Sequence, residues 1–384
     1  MLVEKYNELN KENSNPKLDR YFNTKTLQRL KGKGLFCGMD FVNIKELKPI
    51  EYYSRFDHSM NVAYTASKLS SDTKPPIGVS HDTGNFELIV PLAGAFHDVG
   101  TLAFAHVNSF KKGEALTQDN DELDIKSILL KDEELLTYLN EDGISIDDVV
   151  DHSKYPLIDK EVPCLCLDRV DGGVLATCLI WAHTHTFDEI RELYYMLGYV
   201  ENLNGISVDI LSPRFQNFNG EVTISESFTN VEFEDFFKAG HVYSEKLLSK
   251  ESRYMMEVLG LTLKYYEELG IFNEQDLFYL SEQQIIDRIL DSKQKDVWLD
   301  VTSFDKVRYA KDEKDGLVVV SKPKIRQVNP LCLSHMTLCE IDNISGDFYR
   351  ELNNLYEAIE LTDRPITGNL SDYTVKQLSK YKRK

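Results

Sequence analysis

The stretch ELIVPLAGAFHDVGTLAFAH, residues 87–106, most narrows what this chain can become. Apolar residues dominate it, and His97 and Asp98 stand side by side within it. An ionisable pair in apolar surroundings is costly unless it is paired or bound to a metal. The run up to the doublet predicts a helix that stops near Gly100. The doublet therefore falls where the chain turns and neighbouring side chains can converge. Another histidine, His106, closes the stretch.

The rest of the chain is mainly helical in pattern. Apolar residues at 56, 60, 63, 66 and 69 give SRFDHSMNVAYTASKLSSD helical spacing. TKTLQRLKGKGLF reads as a short basic helix closing in glycines, and the polar tail before Pro16 as loose. TKPPIGVSHDTGNFE is a loop by its prolines and glycines. Residues 119–150 predict two short acidic helices, and Pro163 opens a helix through CLCLDRVDGGVLATCLIWAHTHTF. GISVDILS and GEVTIS have strand character, 231–295 returns to helix, and VWLDVTSFDKVRYAKDEKDGLVVVSKPKIRQVNP predicts a β-hairpin with a charged turn. The fold class expected is mainly α, with a small β-hairpin element towards the C-terminus. No repeat of a solenoid type is present.

Composition removes several function classes. The formal net charge of −19 argues against general nucleic-acid binding, which needs a basic face. A few local cations or a metal can still hold a phosphate. No apolar run approaches the roughly 20 residues that span a bilayer, so no membrane partner is expected. The N-terminus carries no signal-peptide pattern. The six cysteines form no paired CxxC motif and read as reduced core residues of a cytoplasmic protein.

Four residues from three predicted helices form a constellation: His58 near the start of one, His97 and Asp98 at the end of the next, and Asp168 in the first turn of a third. Two imidazoles and two carboxylates suit Mn, Fe, Co, Ni or Zn better than Mg, which prefers oxygen alone. Four protein ligands on one octahedral ion leave two positions for a phosphate oxygen and a water. Arg55, three residues before His58, shares its helical face, and Arg169 follows Asp168; the arginine fork suits phosphate. His106 can donate a proton to a leaving group or anchor phosphate. Asp171 is the rival to Asp168 and otherwise a support behind a ligand. The second HD pair, His81–Asp82, sits in the Pro/Gly loop and reads as a surface turn. His183 and His185 point apart on a helix and read as packing, and His152 and His241 have no supporting context.

RFDHSMNVA, AGAFHDVGTLAFAH and LCLDRVD together resemble the three signatures of the HD superfamily of metal-dependent phosphohydrolases. TKTLQRL resembles the stretch upstream of the first signature in the deoxynucleoside triphosphate triphosphohydrolase branch. The resemblance covers residues 22–185. It implies a helical HD core over 20–186; beyond it the residue pattern gives a mixed, mostly helical extension over 187–295 and a β-hairpin and C-terminal helical segment over 296–384. The resemblance also implies one divalent metal on His58, His97, Asp98 and Asp168, and hydrolysis of a phosphate ester in a small phosphorylated substrate such as a nucleotide. The arrangement leaves room for a homo-oligomer. The triphosphohydrolase phrase HDxGHxPFSH is broken here by Thr101, Ala103 and Ala105; a following aspartate is Ser109, and a tyrosine after the last ligand is Gly172. Those departures predict slow or absent triphosphate release and raise an alternative, a nucleotide-binding sensor or regulatory protein that cleaves nothing. A di-iron oxygenase would need further ligands between the doublet and Asp168, where only His106 and His152 are available.

Overall fold

The computed structural model describes residues 2–70, 85–112, 124–160, 164–173, 215–218, 221–224, 248–312, 314–321 and 364–382. His81, Asp82, His183, His185, His241 and the segment GISVDILS lie outside them.

Helices α4 (Arg55–Ser70) and α5 (Phe86–Phe96) pack together at the centre. Small residues allow the close approach: a Cβ added at Gly94 would lie 3.2 Å from Val62 Cγ1 and 3.1 Å from Ile158 Cδ1. Val62, Ala63, Ala66, Leu92, Ala93, Ala95 and Phe96 are buried there. Around this pair lie α1 (Leu2–Lys11), α2 (Leu18–Phe22), α3 (Lys25–Gln28), α6 (Val107–Lys112), α7 (Ile125–Leu129), α8 (Glu133–Glu141) and α9 (Ile146–Val149). Residues 167–173 begin a further helix. The acidic region expected to give two helices gives three among its described residues, each opened by a side-chain cap from Asp124, Asp132 or Ser145.

The C-terminal half adds α10 (Lys250–Glu268), α11 (Glu274–Tyr279), α12 (Glu282–Asp291), α13 (Lys295–Ser303) and α14 (Asp372–Leu378). Helix α10 packs on α6 at Gly260, where a Cβ would lie 2.9 Å from the Lys111 backbone nitrogen. One apolar core runs from Val3 through Leu92 and Leu259 to Leu378, so both halves share an interior.

The class is as expected: mainly helical, with small antiparallel β elements. Strands β1 (Phe215–Phe218) and β2 (Glu221–Ile224) pair as neighbours, the second within GEVTIS. Nearer the C-terminus, β3 (Val307–Tyr309) pairs with β4 (Ile366–Gly368), and Val319 bridges to Ile366. The distant β4 thus enters between the two arms that the sequence pattern pairs directly. VWLDVTS, read as strand, belongs to helix α13. The N-terminal tail, read as loose, also differs: it is helix α1, with Val3 and Tyr6 buried.

Candidate metal centre

The sequence SRFDH builds its own helix start. Ser54 caps α4 reciprocally with Asp57: Ser54 N–H donates to Asp57 Oδ2 at 3.2 Å, and Asp57 N–H to Ser54 Oγ at 3.1 Å. The Arg55 N–H donates to the Lys33 carbonyl at 2.7 Å. His58 is thereby fixed in the first turn and wholly buried. His97 is the residue at the C-terminal end of α5, and its Nδ1 lies 2.6 Å from the Gly94 carbonyl. Asp168 is held by backbone: its N–H donates to the Ile158 carbonyl at 3.2 Å, and the Leu167 N–H to the Leu157 carbonyl at 2.9 Å.

These three segments converge. His58 Nε2 lies 3.2 Å from His97 Nε2 and 3.0 Å from Asp168 Oδ1, and His97 Nε2 lies 3.7 Å from the same oxygen. Asp98 Oδ2 is 3.8 Å from His58 Nε2 and 3.7 Å from His97 Nε2, and it accepts from Arg55 Nη1 at 2.7 Å. Three of the four predicted ligands, His58, His97 and Asp168, thus come together, and Asp98 borders them through the two imidazoles. The tightest group is His58, His97 and Asp168, whose ligand atoms lie within 4.8 Å of one another.

The donor set fits a cation. His58 Nδ1 faces Asp171 Oδ2 at 2.5 Å, so the proton belongs on Nδ1. His97 Nδ1 faces a carbonyl, so its proton belongs there too. Both Nε2 lone pairs then point at each other and at a carboxylate oxygen, with no proton left among them. A positive charge between them resolves this, and His58, His97 and Asp168 can hold a metal ion. Without one, protons fill the role. Burial lowers both imidazoles' proton affinity, but Asp168 and Asp171 outweigh it at His58, raised to about 10. Asp98 and Asp168 outweigh it at His97, raised to about 9. Burial opposes ionisation of Asp98 and Asp168 as well, yet Arg55 with the imidazoles holds Asp98 well below the usual carboxylate range, and the imidazoles do so for Asp168.

Asp171, the rival to Asp168 by spacing, lies behind His58. Its carboxylate accepts from Tyr6 OH and Tyr53 OH, each at 2.7 Å, besides His58. The arginines are engaged at the edge of the centre. Arg55 is buried against Asp98. Arg169 donates to the Cys164 carbonyl at 2.9 Å and lies 3.6 Å from Asp159. His106 ends the loop behind the doublet, immediately before α6.

That loop is strained and clasped. Phe104 and Ala105 have φ of 64° and 41°, a left-handed backbone that side-chain-bearing residues adopt at a cost. Phe104 N–H donates to Glu282 Oε1 at 2.9 Å and Ala103 N–H to the Leu277 carbonyl at 2.8 Å. The Arg29 guanidinium donates to the Thr101, Phe278 and Val99 carbonyls. One residue that sequence reasoning left without a role also arrives here. His152 packs edge-on against His97, ring centroids 6.2 Å apart, and burial and His97 push its pKa down to about 4. Nothing in its flanking sequence signals this, because tertiary packing alone brings it in.

No family model matches the chain, and no curated protein matches it. Solved structures do share its fold. A hypothetical protein from Aquifex aeolicus is similar with a TM-score of 0.54 and 16% identity, over 96% of this chain and 96% of that one. A phosphohydrolase from Bacteroides thetaiotaomicron is similar with a TM-score of 0.55 and 14% identity, over 86% of this chain and 93% of that one. At such identities the likeness is one of fold. Among the described residues, no helix is long and apolar enough to cross a membrane.

Proposed function

We propose that the protein is an HD-type, metal-dependent phosphohydrolase acting on a nucleotide or another small phosphate ester. The observation that carries this is the approach of two imidazole Nε2 atoms and a carboxylate, His58, His97 and Asp168, to one another, with the Asp98 carboxylate beside both imidazoles. The similar fold of a phosphohydrolase supports it. A divalent cation in this set, Mn, Fe, Co, Ni or Zn rather than Mg, supplies a Lewis acid and lowers the pKa of water.

The protein's own groups do the rest. Asp171 keeps the proton on His58 Nδ1 and the lone pair on Nε2. Arg55 keeps Asp98 ionised. Arg55 and Arg169 place positive charge at the edge of the centre, where charge develops on a phosphoryl group. His106 is the proton donor to the leaving oxygen, a role typically worth about 10²–10⁴ in rate.

A second reading, a nucleotide sensor that retains the centre without turnover, is favoured by two features. Thr101 is buried with its hydroxyl 3.5 Å from Asp98, in the place of an imidazole. Gly172 leaves the space beside His58 unfilled, the nearest atom to an added Cβ being His58 Cε1 at 3.8 Å. The experiment is metal analysis of the purified protein, followed by phosphate release from a panel of phosphate esters with added Mn²⁺. Metal-dependent release supports the hydrolase. Tight nucleotide binding without release supports the sensor, and absence of bound metal under all loading conditions removes both.

A further inference from the structure

The support behind His58 begins in helix α1. Tyr6 is 4% exposed, and its hydroxyl donates to Asp171 Oδ1 at 2.7 Å, across 165 residues of chain. The other Asp171 oxygen takes the Tyr53 hydroxyl and His58 Nδ1. A buried carboxylate needs hydrogen-bond donors in place of water. Here one comes from the N-terminal helix and the others from the body of the fold.

Side-chain hydrogen bonds join α1 to α4 along a polar seam. Asn7 Nδ2 donates to Asp57 Oδ1 at 2.7 Å and Asn61 Nδ2 to Asn7 Oδ1 at 2.7 Å, while Thr65 Oγ1 donates to Asn10 Oδ1 at 3.2 Å. Asp57, Asn61 and Thr65 follow one another at every fourth position along α4, and Asn61 also donates to the Tyr53 hydroxyl at 3.0 Å. Among the α1 side chains whose burial is described, Val3 and Tyr6 are buried apolar ones. A helix of 10 residues is too short to persist alone in water. Its docking draws on the buried Val3 and Tyr6, on this hydrogen-bonded seam and on Asp171.

We propose that Tyr6 is a positioning residue of the metal centre, and that docking of α1 and binding of the metal are coupled through Tyr6, Asp171 and His58. The proposal rests on the reading that His58 is a metal ligand. An ordered α1 completes the shell around Asp171, which fixes the tautomer and direction of His58. A metal on His58 Nε2 in turn favours the arrangement in which Asp171 accepts from Tyr6. Coupling of this kind is reciprocal.

The test uses the full chain and Mn²⁺ alone. Tyr6→Phe keeps the ring and removes the hydroxyl. Loss of a group that supports a metal ligand typically costs 10–100-fold in metal affinity, and about 10-fold weaker Mn²⁺ binding by calorimetry is expected. Hydrogen exchange of the α1 amides should slow on adding Mn²⁺ in the wild type and respond less in Tyr6→Phe. Asn7→Ala, which loosens α1 without touching Asp171, should weaken Mn²⁺ binding by a smaller factor. Wild-type Mn²⁺ affinity in Tyr6→Phe overturns the proposal and leaves the phosphohydrolase reading standing. Unchanged α1 exchange on metal binding overturns the coupling. Failure of the wild type to bind any divalent metal sinks the proposed function itself, and this inference with it.

Discussion

Replacing Arg29 by Met should loosen the loop behind His97 and Asp98. Arg29 donates to the Thr101 carbonyl at 2.9 Å, the Phe278 carbonyl at 2.8 Å and the Val99 carbonyl at 2.5 Å. It also lies 3.9 Å from the Phe278 ring centroid. Among the described residues it has no ion-pairing carboxylate, and burial pushes its pKa down to about 10, still charged at neutral pH. Hydrogen bonds to a charged group contribute roughly 1.5–3 kcal/mol each. Relief of the buried charge offsets part of that in Arg29→Met, leaving a net loss of about 4 kcal/mol. Unfolding entropy of roughly 2.1 cal/mol/K per residue makes this a fall of only about 5 °C in melting midpoint for a chain of 384 residues. The sharper assay is local: hydrogen exchange at the Ala103 and Phe104 amides, which the clasp protects. A midpoint within about 1 °C of wild type, together with unchanged protection of those amides, would refute the reasoning.

Asp168→Ala should release the metal while Asp82→Ala retains it, as read by metal content after dialysis. Arg55→Ala strands the Asp98 carboxylate and should cost about 3–5 kcal/mol in urea unfolding; a loss under about 1 kcal/mol would mean the pair is solvated. Burial, with Glu282 beside it, pushes Asp40 up to about 7 from 3.8. Between those values the unfolded chain releases a proton that the folded chain keeps, so this group's contribution falls as pH rises through the window. Asp40→Asn should accordingly match wild type near pH 4 and be more stable by up to about 4 kcal/mol at pH 8; a constant difference across that range refutes the assignment.

What was legible in the sequence is what local chemistry determines. Ser54 and Asp57 encode the start of α4, and the apolar period encodes its length. The end of α5 places His97 and Asp98 at a turn, while only the resemblance to the HD signature, not the residues themselves, favours Asp168 over Asp171 as the carboxylate facing the imidazoles. What was not legible depends on distant contacts. Helix α1 looks like a polar tail because several of its residues meet the polar groups Asp57, Asn61 and Thr65, which no apolar period in the sequence announces. His152 reaches His97 through the fold of 124–160, with no motif around it. Strand β4 enters between Val307–Tyr309 and Val319 from a position more than forty residues on, and strand alternation carries no information about so remote a partner.

The supports of the centre also lie outside the segment that carries its motifs. Its two imidazoles are held by different parts of the chain. His58 depends on Asp171, and Asp171 on Tyr6 at the N-terminal end. The loop after His97 adopts its left-handed turn at Phe104 and Ala105 against Glu282 and the carbonyls of Leu277 and Phe278, which α11 and α12 bring to it. The arginine of that clasp, Arg29, comes from the basic helical turn before the first motif. Left-handed residues of this kind persist only where their surroundings fix them. A unit cut at the motif boundaries, 20–186, would hold the segments of His58, His97, Asp98 and Asp168 yet lack Tyr6 and the whole C-terminal half of the clasp. The geometry of the centre is a property of the complete fold, and its integrity follows from the shared core that joins α4 and α5 to α10 through α12.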